Sequence, residues 1–311
     1  MTKQFQLSEQ PVFEDGVFAA NPELFDRFAR PVSDRMAERF REAQDLLIER
    51  QQSVTWPLLT GPGFAAGTHP GADNVFIETM IGSNRFVYDS DCLYVNPRRR
   101  VFAASDPPGI TDCSRRLFER LDRRLKDAAD NEAEADLEKM VNDLNRELSV
   151  DDGATLTLVT FPEAGGPALA FVAGDTLLYK GNLASEALEA IEGSPDFIGT
   201  PHLYLEPIEI ETGDGDFLVI ASDGILSIRA LDRERTLEQL LRGYAVGPPE
   251  DFVTAAMRDC NGCVTDTIYD RTITRFGGSD NVSVVFVRPE ELVETDSEET
   301  FILGGYLRHW Q

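Results

Sequence analysis

Four aspartates stand where apolar runs begin or end. Phe217-Leu218-Val219-Ile220-Ala221 reads as a strand buried on both faces, and it runs straight into Ser222-Asp223-Gly224. Val101-Phe102-Ala103-Ala104-Ser105 closes on Asp106. Gly71-Ala72-Asp73-Asn74 opens the run Val75-Phe76-Ile77, and Gly278-Ser279-Asp280-Asn281 opens Val282 to Val287. A carboxylate at the end of a core strand is costly unless a cation or hydrogen bonds compensate it. Strand ends also hold side chains rigidly enough to position a ligand. Any one of these residues alone is an ordinary turn or capping aspartate. As a set they make a site, and carboxylates with no His or Cys beside them suit a hard cation, Mg²⁺ or Mn²⁺, better than zinc.

In their order and flanking residues the four acids resemble the metal-dependent PP2C-type (PPM) serine/threonine phosphatases. That family carries an acid in an early N-E-D-A segment, a D-G-x-G-G turn, a late S-D-G and a final D-N before a β-branched strand. Asp73, Asp106, Asp223 and Asp280 fall in that order. The resemblance covers roughly residues 55 to 288, and its most specific parts are Ser222-Asp223-Gly224 and Gly278-Ser279-Asp280-Asn281-Val282.

The resemblance implies two Mg²⁺ or Mn²⁺ ions, with room for a third, and a metal-activated water that attacks phosphorus in line. By family correspondence Asp73 and Asp106 bracket the metal pair, and Asp223 and Asp280 hold one side. The carbonyl of Pro107 would be a further ligand, and Asp175, in Gly174-Asp175, matches the third, looser position. The implied substrate is phosphoserine or phosphothreonine in a protein, with a cognate kinase as a further partner.

Several positions depart from the family pattern. Pro107 stands where the family has glycine, which removes a backbone N–H and fixes φ. Thr68 stands where counting back from Asp73 places a phosphate-binding arginine, and no histidine follows Asp106. His69 is a candidate for either role, or a loop histidine with none. The stretch between Tyr179 and Leu203 is short for the family's substrate-side flap. Two alternatives stay open on these grounds. One is a pseudophosphatase that regulates a partner; the other is a phosphatase for a small phosphoester.

The chain has 311 residues, 55 acidic against 29 basic, and a formal charge of −26. Such a surface repels phosphate backbones and excludes nucleic acid as a natural partner. It favours a divalent cation or a basic segment of a partner, and solubility or salt adaptation accounts for the bulk of the charge. No apolar run reaches 18 residues and no secretory signal opens the chain, so a cytoplasmic protein without a membrane span is expected. Oligomeric state is not legible. Cys260-x-x-Cys263 lacks a second pair at metal spacing, so reduced structural thiols are expected of it and of Cys92 and Cys113.

Along the chain, residues 1 to about 21 read as an irregular arm. Val32, Met36, Phe40, Ala43 and Leu47 predict an amphipathic helix to about Gln51. Strands are expected at 56–59 and 72–79, joined by a Gly- and Pro-rich link, and as a pair at 85–88 and 92–95. Pro97-Arg98-Arg99-Arg100 reads as an exposed basic turn, or one that binds phosphate or an acidic peptide.

Two helices follow, at about 113–125 and 131–148, then strands at 154–159, 169–173 and 177–179. A short helix is expected near 184–191, a strand at 203–210 and helices around Leu237 and Phe252. The acidic stretch after Pro289 ends in Phe301 to Leu307, a closing strand or a mobile tail. Pattern alone gives a mixed single domain. The resemblance makes it an α+β, four-layer αββα sandwich of two antiparallel sheets flanked by helix pairs. Three parts are expected: an arm and helix over 1–54, the phosphatase core over 55–288 and an acidic tail over 289–311.

Overall fold

The computed structural model describes residues 5–11, 55–71, 86–109, 111–128, 133–148, 153–162, 166–184, 188–227, 240, 243–259, 263–268, 271–276 and 280–309. Two antiparallel sheets lie face to face. The first has seven strands in the order β1 (Gln6–Pro11), β2 (Thr55–Gly61), β3 (Phe64–His69), β14 (Val282–Val287), β11 (Asp216–Ala221), β8 (Leu177–Asn182) and β9 (Leu188–Ala190). The second has six, in the order β10 (Ile208–Ile210), β7 (Ala168–Ala173), β6 (Leu156–Thr160), β5 (Val101–Ser105), β4 (Phe86–Asn96) and β15 (Phe301–His309). A separate hairpin pairs β12 (Cys263–Ile268) with β13 (Arg271–Phe276).

The central strands are apolar at nearly every position because both of their faces are covered. Leu93, Val95 and Phe102 of the second sheet interlock with Leu218, Ile220 and Val285 of the first. Phe64 and Phe102 meet edge-on across this layer, ring centroids 5.2 Å apart. Outside the second sheet lie helices α1 (Cys113–Asp127) and α2 (Ala133–Glu147). Leu117, Leu121 and Leu125 of α1 and Val141 and Leu144 of α2 pack on Tyr94, Ala103 and Phe171. Outside the first sheet α3 (Pro249–Asp259) sets Phe252 against Phe286 at 4.9 Å. The molecule is thus the expected α+β sandwich of two antiparallel sheets, with one of the outer helices on the first sheet among the described residues.

Several elements differ from expectation, each for a reason visible in its pairing or burial. The supposed irregular arm contains β1, an edge strand whose backbone pairs with Thr55–Thr60. The Gly- and Pro-rich link contains β3, a strand of small residues buried throughout; Gly63, at φ 76°, makes the tight turn before it. The pair expected at 85–88 and 92–95 is the single strand β4, because Asp89, Ser90 and Asp91 in its middle are buried rather than looped out.

In place of a helix at 184–191 the chain adds β9 to the edge of β8. The expected strand at 203–210 shortens to β10. Its upstream backbone is held by side chains instead: Asn142 Nδ2 donates to the Leu205 carbonyl (2.9 Å) and Asn145 Nδ2 to that of Leu203 (2.8 Å). Of the two outcomes for the chain end, the closing strand is found: β15 pairs with β4 along its length. The helix expected over 32–51, the strand over 72–79 and the helix around Leu237 lie outside the described residues. Among the described residues no helix is long and apolar enough to cross a membrane.

Candidate active site

Strand register carries the acids to one end of the sandwich. In the first sheet β11 and β14 are antiparallel neighbours with Ala221 opposite Val284. The end of β11 therefore delivers Asp223 beside the start of β14, where Asp280 stands. β8 begins opposite the same Ala221, so the Gly174-Asp175 turn before it lies at this end too. In the second sheet Cys92 is opposite Ser105, which puts Asp91 level with Asp106. Opposite Ser90 and Asp91, β15 is irregular between Gly304 and Tyr306, a bulge of the kind that re-aims side chains beside a site. Gly304, at φ 75°, is required there: a Cβ would stand 2.2 Å from the Asp91 carbonyl.

The backbone around each acid is locked. Asp106 donates its N–H to Thr155 Oγ1 (2.7 Å) and accepts at its carbonyl from the Thr155 N–H (2.8 Å). Ser222 and Ser283 exchange bonds: Ser222 N–H donates to the Ser283 carbonyl and Ser283 N–H to Ser222 Oγ, both at 2.9 Å. Gly224 lies under Asn281 so tightly that a Cβ would come 1.8 Å from its carbonyl oxygen, which explains the glycine after Asp223. Asn281 joins the two sheets. Its Oδ1 accepts from the N–H (3.1 Å) and hydroxyl (2.7 Å) of Ser90, and its Nδ2 donates to the Pro70 carbonyl (2.9 Å).

Electrostatics mark the same cluster. Burial, then the charges of Asp223 and Asp280, push the Asp106 carboxyl up to about 7; the field of Asp175 adds to this, and a hydrogen bond from Asp91 works against it. Asp91 is raised well above the ordinary carboxylate range, first by burial and then by Asp106 and Asp89. Both shifts are those expected when like charges share a dry site.

Asp106, Asp175, Asp223 and Asp280 are thus brought within one field, and Pro107 is buried beside them. Asp73 lies outside the described residues. Thr68 is wholly buried, donating to Asp89 Oδ2 (2.7 Å) and accepting from Ser283 Oγ (2.8 Å). His69 is no loop residue: it ends β3, fully buried, and accepts the Gly71 N–H at Nδ1 (3.0 Å). The basic turn is engaged within the molecule, Arg98 with Glu298 (3.1 Å) and Arg99 with the Ala128 carbonyl (3.2 Å). Cys92 and Cys113 are buried thiols outside any disulfide.

Asp89 and Asp91 were not foreseen. Their signal was the acid pair flanked on both sides by apolar and aromatic residues in Val87-Tyr88-Asp89-Ser90-Asp91-Cys92-Leu93. Among the described residues no three acidic, His or Cys side chains already close on one point tightly enough to cage an ion. Yet Asp91 Oδ2 is buried with no hydrogen-bond partner among the described residues, and the Asp91 and Asp106 carboxyls are pushed up by burial first and by neighbouring charges second. A divalent cation would relieve both, so the donor set fits one.

A double antiparallel sandwich with acids at the strand ends defines the PP2C class of phosphatase folds. The family model of Stage II sporulation protein E (SpoIIE) matches residues 117–288, more than half of the chain, and the protein belongs to that family. Solved structures agree in fold. PppA of Pseudomonas aeruginosa, a regulatory component of its T6SS, is 20% identical over 74% of this chain and 98% of its own, with TM-score 0.53. The PPM Ser-Thr phosphatase MsPP of Mycobacterium smegmatis, in complex with cacodylate, is 20% identical over 72% and 97%, with TM-score 0.50. The catalytic domain of the phosphatase PstP, with two manganese ions, is 18% identical over 72% and 96%, also at 0.50. No curated protein matches the chain in sequence.

Proposed function

We propose that the protein is a Mg²⁺- or Mn²⁺-dependent phosphatase of phosphoserine and phosphothreonine in proteins. The observation that carries this reading is the gathering of Asp91, Asp106, Asp223 and Asp280 at one end of the sandwich, with Asp175 at its edge. Asp91 is the acid we assign to the early segment, alongside Asp73. Counting five places back from Asp91 reaches Phe86, so the phosphate-clamping arginine is missing on that count as well.

Asp91, Asp106, Asp223 and Asp280 would hold the cations, with the Pro107 carbonyl as a further ligand and Asp175 at a third position. Bound there, the cations would neutralise phosphate oxygens and lower the pKa of a water to near neutrality. The chain's own residues fix the geometry. Thr155 holds the Asp106 backbone, Ser283 holds Ser222, and Asn281 ties the strand of Asp91 to the turn of Asp280. Burial of Asp91 keeps competing water from the inner side of the cluster. The catalytic unit is residues 55–288, and β1 and β15 are additions at the outer edges of the two sheets. Its partners would be a phosphoprotein substrate and the kinase that makes it, in the cytoplasm.

Thr68 supports a second reading, a regulatory module without turnover. It is locked to Asp89 and offers no charge to a phosphate. One assay separates the two. Mn²⁺-stimulated release of phosphate from p-nitrophenyl phosphate and from phosphoserine peptides, lost in Asp91→Asn and Asp223→Asn, is expected of the enzyme. Wild-type protein that is silent on all of these substrates with Mn²⁺ present would reject it.

A further inference from the structure

A partly open cavity of about 380 Å³ lies beside the acid cluster, at the turn between β7 and β8. Asp175 lines it, and the same carboxylate acts on Asp106, so the cavity borders the cluster. Val172, Leu178 and Ile191 give it apolar walls, Tyr179 a ring, and Glu192 a second acid.

Its outer wall is the strap 190–195, which crosses from one sheet to the other and is fixed to both. Ile191 N–H donates to the Leu178 carbonyl of the first sheet (2.8 Å). Ser194 N–H donates to the Val172 carbonyl of the second (3.0 Å), and Gly174 N–H returns a bond to the Ser194 carbonyl (2.9 Å). Gly193 lets the strap lie flat, since a Cβ there would come 2.4 Å from Val172 Cβ. The volume falls in the range of preformed ligand pockets.

We propose that this cavity is a specificity pocket for an arginine side chain close to the phosphoresidue of the substrate protein. The proposal rests on the phosphatase reading for what lies next door. Its own argument is complementarity. Two acids line the cavity and, among the described residues, no basic side chain does, in a chain of charge −26. Apolar walls suit the methylene stem of arginine, and a tyrosine ring suits the face of a guanidinium.

The test uses phosphoserine peptides in which one arginine is moved through the three positions on either side of the phosphoresidue, against the alanine peptide. Affinity is read by fluorescence anisotropy and hydrolysis by kcat/KM. At one position arginine is expected to strengthen wild-type binding about threefold or more. Glu192→Gln should erase that gain, and Glu192→Lys should invert it in favour of a glutamate-bearing peptide. Both variants should hydrolyse p-nitrophenyl phosphate like wild type, because Glu192 is exposed and outside the acid cluster. Equal affinity for all peptides, or an arginine gain unchanged in Glu192→Lys, overturns the proposal. Because binding is read directly, an inactive wild type would defeat the phosphatase reading and still leave the pocket to be judged.

Discussion

Asp91 and Asp106 face each other on adjacent strands with their carboxyl pKa values displaced upward, Asp106 to about 7. A carboxyl whose pKa is higher folded than unfolded stabilises the fold fully below its unfolded value, near 4, and loses that contribution as pH rises through the folded value. The cation-free protein should therefore melt at progressively lower temperature between about pH 4 and pH 8. Mn²⁺, which favours the charged forms, should raise the melting temperature more at pH 8 than at pH 5. Thermal scans in EDTA and in Mn²⁺ across that range measure both trends. A melting temperature that climbs with pH in EDTA would show that folding does not raise the pKa values of these carboxyls. Asp91 also marks the limit of what single residues disclose in a sequence. An acid after a long apolar run, such as Asp223, is conspicuous. One inside a strand is not, because Asp89-Ser90-Asp91 reads as the gap between two strands until β15 is seen pairing across it.

The strands and turns, rather than the acids, set the distances in the cluster. Asn281 is the clearest case, since its side chain ties the strand of Asp91 to the turn of Asp280 through Ser90 and Pro70. Asn281→Ala leaves the buried Ser90 hydroxyl and N–H without that acceptor, at a cost of about 1–3 kcal/mol. It should also weaken Mn²⁺ affinity about 10- to 100-fold, as loss of a positioning partner does. Chemical denaturation and calorimetric titration with Mn²⁺ check the two effects. Unchanged Mn²⁺ affinity in a destabilised variant would reduce Asn281 to a structural residue. The contiguous motifs around it were legible because chemistry and backbone need coincide: Gly224 is glycine because of Asn281 above it. The elements misread were those whose pairing is distant. β1 and β3 owe their form to partners far along the chain, and small or polar residues gave them no period of their own. The Leu203 strand failed for the opposite reason, being apolar yet served by Asn142 and Asn145.

At the scale of the molecule, two sheets are stacked so that the ends of β5 and β11 and the start of β14 meet, in a chain whose formal charge is −26. The class of fold was legible from the order of four motifs, because an antiparallel sandwich brings strand ends from distant sequence into one cleft. Burial and neighbouring charges disfavour Asp91 and Asp106 as bare carboxylates, and the fold supplies no basic side chain to the inner face of the cluster among the described contacts of Asp91 and Asp106. Divalent cations are what this account requires there. Crystals soaked in Mn²⁺ and measured for its anomalous scattering test that requirement most directly. Peaks lying between Asp91, Asp106, Asp223 and Asp280 are predicted. Manganese bound only elsewhere on the acidic surface, with that cleft empty, would contradict the account.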